Sequence, residues 1–555
     1  MKSRLQLLSL TAISALATTL SGCGGGGSST APATATAPVS VSGNATAALA
    51  SPAANTKFQW EIATPITVSL QDSNNIAVTG PLTCAAAIAG TVAVAADCTS
   101  LTAKRIGAQT IVVSSGATTA SFVIQAIPQR QPLTARAVAS GGTTFSVTPA
   151  GGTPLFWGQN YDAKLAQLVS YTTLLESGLP LAAKLTAATP MTNIVSTATG
   201  NSNALALTEE GEIWSWGRTA FNLLGFVSAD PNLAATPGKV RNAANLANLN
   251  HIVQVGVADE NASALADDGS VYSWGWGNTV GQGTSATGAF ANKVQTSAGV
   301  FLSDIVQISV GRNVTLALSR SGTVYAWGQD SSLNTGTSAA NSGKQVAYAT
   351  PVVAAGSLAP LSGIVSISAG YSTGMALTAT GNVYAWGENN YGQLAQGTQT
   401  QNGSLAVLAK APATQGGNLS GIKAISAGGI HQLALTSAGE LLAWGYTPNG
   451  ALGEGNTVNL GNQSTLPNFV VDTSGTGNLT GIKAIAAGYS NSLALMSTGE
   501  VLVWGSNFGS ALGQNQTVSA LSKSRIPLKV KDTAGTGTLN VGPLADFRNL
   551  FQQFP

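Results

Sequence analysis

The sequence predicts an all-β protein: a seven-bladed β-propeller preceded by a small β-sandwich. Three observations carry this. A tryptophan–glycine pair recurs seven times at nearly constant spacing, an alternating strand pattern stands before each pair, and the N-terminal stretch alternates without such a pair. The tryptophans are Trp157, Trp216, Trp274, Trp327, Trp386, Trp444 and Trp504, at intervals of 59, 58, 53, 59, 58 and 60 residues. The text before each is one template, as in IVSISAGYSTGMALTATGNVYAWG (364–387), IKAISAGGIHQLALTSAGELLAWG (422–445) and IKAIAAGYSNSLALMSTGEVLVWG (482–505). The first copy, ARAVASGGTTFSVTPAGGTPLFWG (135–158), keeps its skeleton.

Each unit reads as four strands. In the sixth, Ile422 and Ile425 mark the first strand, and Leu433 and Leu435 the second. Ala438-Gly439 turns the chain, Leu442 and Trp444 lie on the third strand, and residues 467–471 form the fourth. Proline in the fourth strand (Pro237, Pro351, Pro467, Pro527) suits an outer edge, because proline has no N–H for an interior ladder. Seven such sheets suit a closed ring; a solenoid, the alternative, leaves terminal sheet faces and edges to be protected.

Residues 39–128 give the sandwich. ITVSLQDSNNIAV alternates Ile66, Val68 and Leu70, turns on 72–75 and resumes at Ile76, while AQTIVVSSGATTASFVIQAI reads as a hairpin turning near Ser114-Ser115-Gly116. At 555 residues the chain exceeds one ordinary core. Only 8% of residues are charged and the net charge is +2, without a basic cluster after the N-terminus, which excludes a phosphate-neutralising nucleic-acid binder.

Residues 1–22 carry Lys2 and Arg4, then an apolar core from Leu5 to Leu20, as an export signal does. Leu20-Ser21-Gly22-Cys23 resembles a bacterial lipoprotein box. That resemblance implies cleavage before Cys23, lipidation of Cys23 and, with Gly24 following, placement in the outer membrane, facing the periplasm or the outside. The alternative is a plain secretory peptide with an incidental cysteine. Residues 23–38 read as a flexible linker. In an oxidising compartment Cys84 and Cys98 can pair, or they stand as two separate buried thiols. The segment 39–128 resembles bacterial immunoglobulin-like domains.

The stretch Gly381–Leu394, of the form G-x-V-Y-x-W-G-x-N-x-Y-G-Q-L, and Ala427–Leu435, of the form A-G-x-x-H-x-x-A-L, resemble the regulator of chromosome condensation repeat. The resemblance covers the chain from 133 onward, assigned as propeller over 133–555, and implies seven blades. Its eukaryotic members are exchange factors for a small nuclear GTPase. An exported chain meets neither that partner nor chromatin, so this activity is not carried over. LADFRNLF (544–551) echoes LTGIKAIA (479–486) and is expected to latch the last blade to the first.

No catalytic or metal constellation stands out, and no cofactor is expected. His431 occupies a repeat position where the other units carry Thr143, Asn203, Asn261, Val314, Thr373 and Asn491, and is expected to hydrogen-bond within its own blade turn. His251 stands alone. Gly370-Tyr371-Ser372-Thr373-Gly374 spells G-x-S-x-G but runs on into strand, whereas a nucleophile elbow needs a following helix. Glu209-Glu210 and Asp267-Asp268 precede turns and are expected to be solvated.

The loops after each Trp-Gly carry Tyr161, Phe221, Trp276, Tyr391, Tyr446 and Phe508, with Leu333 in the fourth unit. Equivalent loops of a propeller share one face, so these six are the candidate binding residues, arranged as a ring; blade packing is the competing role. The reading is a non-enzymatic cell-envelope binding protein, held to the membrane through lipid on Cys23 and presenting one loop face to a protein partner. A carbohydrate-binding surface protein, with a glycan as ligand, and an enzyme acting on cell-surface polymers are the alternatives.

Overall fold

Seven antiparallel four-stranded sheets follow one another along the chain, each built from strands consecutive in sequence. The computed structural model describes residues 45–542, apart from 54–55, 130–132, 137–143, 150, 170–173, 245, 284–287, 331, 338–343, 400–402, 457–460 and 517–518. The export signal, Cys23, the linker and the tail at 544–551 lie outside the described residues. No α-helix occurs among the described residues.

Blade 2 shows the plan, with strands Ile194–Thr199, Asn203–Thr208, Ile213–Arg218 and Leu233–Lys239 paired in that order. The fourth strand is the outer edge of each sheet; it carries the prolines in blades 1, 2, 4, 6 and 7, while in blades 3 and 5 its Ala291 and Ala406 bond onward to the backbone of Arg241 and Ala243, and of Val353 and Ala355. In the sixth blade this strand is Gln463–Phe469, a little earlier than the proline-centred reading. The innermost strands, from Leu133–Arg136 through Ile194–Thr199 to Ile482–Ala487, neighbour one another in turn, and the last lies against the first. The ring is closed.

Second strands such as NALALT and VTLALS are buried along their whole length. Leucine on one face and alanine on the other fit a sheet that packs against a blade on each side. Inner strands are also tied laterally. The hydroxyls of Ser309, Ser368 and Ser426 accept hydrogen bonds from the backbone N–H of Ala369, Ala427 and Ala487 in the next blade, each at 2.9 Å.

The repeated tryptophan is the main link between blades. All seven are fully buried. Trp216 Nε1 donates to Lys164 O at 3.1 Å, Trp386 to Asn334 O at 3.0 Å and Trp444 to Gln393 O at 2.8 Å, each acceptor lying in the post-tryptophan loop of the preceding blade. Trp274 and Trp504 do the same with Leu223 O and Ala451 O. Across the ring junction, Trp157 donates to Ala511 O at 3.1 Å, and Phe145, Val147 and Trp157 share a core with Leu493, Val501 and Leu512. Among the described residues, therefore, the first and last blades meet by the same tryptophan contact as five of the other six neighbouring pairs. Trp327 alone finds no acceptor for its Nε1 among the described residues, although Gly281 lies against its ring.

The N-terminal region forms the sheets predicted for it. Lys57–Gln59, Thr118–Ile127, Gly107–Ser115 and Thr83–Ala86 make one sheet, and Ala63–Pro65, Ser100–Ala103 and Val92–Val94 another. They share a core of Phe58, Leu101, Ile111, Val113 and Phe122 with Leu70 of a third sheet, Thr46–Ser51 paired with Thr67–Gln71. Cys84 and Cys98 are joined by a disulfide, with Cα atoms 5.2 Å apart.

Two expectations are corrected where this region meets the propeller. Glu209 and Asp267 are buried rather than solvated; only Glu210 and Asp268 face solvent. Glu209 pairs with Lys57, and Asp267 accepts from Arg105 Nη1 and, at 3.0 Å, from the Ile106 N–H. His251 is not alone either, since its Nδ1 lies 3.4 Å from Asp267. Trp60 and Ile106 enter the apolar cluster of Val253, Leu265, Ile305 and Trp327. Gly211 makes room for this contact: a Cβ there would fall 2.3 Å from Ile106 Cδ1. Glu61, 1% exposed in its side chain, takes Lys104 at 2.5 Å and Arg320 of the fourth blade at 2.8 Å. Glu61→Ala is expected to cost about 1–3 kcal/mol, because its cationic partners lose a charged acceptor yet keep some water. A double-mutant cycle with Arg320→Ala, followed by urea unfolding, should show strongly non-additive losses; additive losses would mean the pair does not couple the two parts.

Candidate functional site

The loop between first and second strands and the loop after Trp-Gly emerge at the same end of every blade. The second-to-third-strand turns emerge at the other end, and at blades 2 to 4 the N-terminal sheets dock on them through Glu209, Asp267 and Arg320. Among the described residues, the first end is thus the uncovered one.

One position dominates it. After the small residues closing each inner strand, blades 2 to 7 place Asn201, Asp259, Arg312, Tyr371, Gly429 and Tyr489. Four of these converge near the ring centre. The Arg312 guanidinium stacks on Tyr371, its Cζ 4.4 Å from the ring centroid, and its Nε lies 3.3 Å from Asp259 Oδ2. Tyr371 meets Tyr489 edge-on, with centroids 5.4 Å apart and planes at 81°. Burial pushes the Tyr371 phenol up to about 12 against the opposing pull of the Arg312 charge, so it stays a neutral donor and acceptor. Burial likewise raises Glu260, with Arg312 opposing.

Arg312 and Asp259 line two adjoining cavities. One, of about 150 Å³, is the channel mouth, walled by Ser309, Ser368, Ser426 and Tyr371. The other, of about 140 Å³, runs outward past Asn203, Glu260 and Arg218 to Phe221.

Among the described residues, four of the six candidate aromatics touch in two separate pairs. Phe221 and Trp276 form one pair at 6.4 Å, and Tyr391 and Tyr446 another at 4.7 Å with planes at 68°. Phe221 and Phe508 are 47% and 44% exposed, whereas Trp276, Tyr391 and Tyr446 are half-buried, so blade packing and surface share them. The side chain of Tyr161 lies outside the described residues. Sequence reasoning missed Arg312, Asp259, Tyr371 and Tyr489 as a set. The available signal was one chemically varied column inside an otherwise small-residue motif.

Residues 107–471 match the model of the RCC1-like domain, and 482–510 match the regulator of chromosome condensation (RCC1) repeat. The chain belongs to the RCC1-like domain family. It is 31% identical over 265 residues to the ultraviolet-B receptor UVR8 of Arabidopsis thaliana, covering 47% of this chain and 55% of the receptor. It is 30% identical over 308 residues to the E3 ubiquitin-protein ligase HERC2 of Homo sapiens, covering 54% of this chain and 6% of the ligase. Protein pim1 of Schizosaccharomyces pombe is 27% identical over 359 residues, 59% of this chain and 61% of pim1. The chain therefore spans less than two thirds of each of these relatives. Yeast RCC1 (Prp20), solved bound to Kap60, superposes with TM-score 0.57 at 22% identity, covering 74% of this chain and 86% of that one. Human WBSCR16 gives 0.55 at 21% identity, covering 68% and 94%. Identities this low speak to the fold, which is the propeller.

In this RCC1-like propeller the G-x-S-x-G serine is no nucleophile elbow: Ser372 is buried and strand Thr373–Thr378 follows it directly. No group of three metal-binding side chains occurs among the described residues. His431 is fully buried, and its Nε2 meets Ser492 Oγ of the next blade at 2.8 Å, so its bond runs between blades rather than within a turn. The strand register puts Thr144, not Thr143, at its place in the first blade. Burial pushes the imidazole from 6.5 down to about 4. The fold holds it neutral while the unfolded chain binds a proton between these values. Its stability contribution is therefore present above pH 6.5 and lost as pH falls toward 4, by about 3 kcal/mol. His431→Gln should flatten the difference in unfolding midpoint between pH 6.5 and pH 4; an unchanged slope would contradict this.

Proposed function

We propose that this RCC1-like propeller is a non-enzymatic binding module of the cell envelope, held by lipid on Cys23 and engaging a protein partner with its uncovered face. The proposal divides the chain into signal 1–22, linker 23–38, an immunoglobulin-like sandwich over 39–128 and the propeller over 133–555. The observation that carries the binding reading is the Arg312–Tyr371–Tyr489 cluster beside Tyr391 and Tyr446. Arginine and tyrosine on rigid short loops are the side chains that concentrate binding energy at protein interfaces. The edge-on tyrosine pairs favour a protein over a glycan, because a sugar platform needs an open ring face. Docking of the N-terminal sheets on the other face supports the choice of face. The yeast relative Prp20 is described with Kap60, Gsp1p and histones, protein partners all, which agrees in kind.

The test is affinity capture from the source organism's envelope with the full chain as bait, beside a folded variant carrying Tyr371→Ala, Tyr489→Ala, Tyr391→Ala and Tyr446→Ala. A protein held by the first and released by the second is the expected result. Equal capture by both would move the site off this face.

A further inference from the structure

Resting on the protein-binding reading, the chemistry of the channel mouth specifies what the partner presents. Arg312 is fixed on two sides, by the Tyr371 ring beneath it and by Asp259 at its Nε. Nε itself is buried while 41% of the side chain stays exposed, which leaves the outer guanidinium nitrogens facing the mouth. Ser309, Ser368 and Ser426 line the same cavity. Each hydroxyl oxygen already accepts a backbone N–H, which occupies one of its lone pairs and leaves its proton to offer to an acceptor on a ligand. Asp259, the one carboxylate in the wall among the described residues, is turned to Arg312. The cavity thus offers an acceptor on a ligand a cationic planar fork and three hydroxyl donors. A planar carboxylate matches that fork with two parallel N–H···O bonds, and 150 Å³ admits a side chain rather than a domain.

We infer that the channel mouth receives the carboxylate of an aspartate or glutamate side chain from the protein partner, with Arg312 as its anchor. Tyr371 and Asp259 act as positioning residues that hold the fork outward.

The probe is a phage-displayed random peptide library panned on the immobilised full chain in detergent, with the enriched peptides resynthesised for affinity measurement. Enrichment of peptides sharing an acidic residue is expected, with a loss of about tenfold or more on Arg312→Gln. Arg312→Lys keeps the charge but not the fork, and should retain only part of the affinity; each variant is first shown to melt as the parent does. Arg312→Glu should in turn select peptides bearing lysine or arginine. Peptides that bind the uncovered face without an acidic residue, or acidic peptides indifferent to Arg312→Gln, would overturn the carboxylate while leaving the protein-binding reading intact. If no peptide enriches and a uronic-acid oligosaccharide binds in an Arg312-dependent way, the partner class itself is overturned.

Discussion

Gly328→Ala is expected to destabilise the propeller by about 2–6 kcal/mol, the sum of backbone strain and overpacking. Gly328 has φ +123°, and a Cβ added there would lie 2.0 Å from the carbonyl oxygen of Asn313, the residue just before the adjacent strand Val314–Ser319. Neither side can easily retreat, since Gly328 pairs with Val314 and the Asn313 carbonyl accepts the Gln329 N–H at 2.9 Å. The glycines after Trp216, Trp274, Trp386, Trp444 and Trp504 share the geometry: Gly217 at +117° meets Ser202 O at 2.3 Å, and Gly505 at +109° meets Ser490 O at 2.3 Å. Gly439 separates the two costs, because it has φ +91° but nothing within 4 Å of its added Cβ. Gly439→Ala should carry strain alone, about 1–2 kcal/mol. Urea unfolding of the two variants checks the difference, and equal losses would contradict the steric account.

Trp386→Ala is expected to cost about 3–5 kcal/mol by opening a cavity between two blades. Its ring is fully buried, with Gly336 of the preceding blade against it and Gly374 below. A finer comparison isolates the indole N–H. Trp386→Phe strips the Asn334 carbonyl of its donor, whereas Trp327 Nε1 has no acceptor among the described residues to lose. Trp386→Phe should therefore be the costlier change, by about 1 kcal/mol. The reverse order would mean that the indole bond contributes nothing to blade cohesion.

Much of this was legible in sequence because the repeat writes it seven times. The Trp-Gly pair, the Leu–Ala alternation and the edge prolines each report a local geometry, and local geometry is what periodicity encodes. The docking of the N-terminal sheets was not legible. Lys57 and Arg105 lie 152 and 162 residues from the carboxylates they meet, so Glu209 and Asp267 looked like ordinary hairpin acids. The candidate site was half legible. The post-tryptophan aromatics stand out by size, but the site is centred on a column whose members are asparagine, aspartate, arginine, tyrosine and glycine in different blades. Such a column has no motif, and only the ring brings Asp259, Arg312 and Tyr371 together. His431 shows the same limit, since its partner Ser492 is one full repeat away.

The central claim, that the uncovered face meets a protein partner, is tested most directly by photo-crosslinking in intact cells of the source organism. One chain carries the crosslinking amino acid at Tyr446 on the proposed face. A second carries it at Leu246, an exposed residue in the connection after the fourth strand of blade 2, at the opposite end. The account predicts a discrete protein adduct from position 446 that disappears with Arg312→Gln, and none from position 246. An adduct from position 246 alone would place the partner on the other face and contradict it.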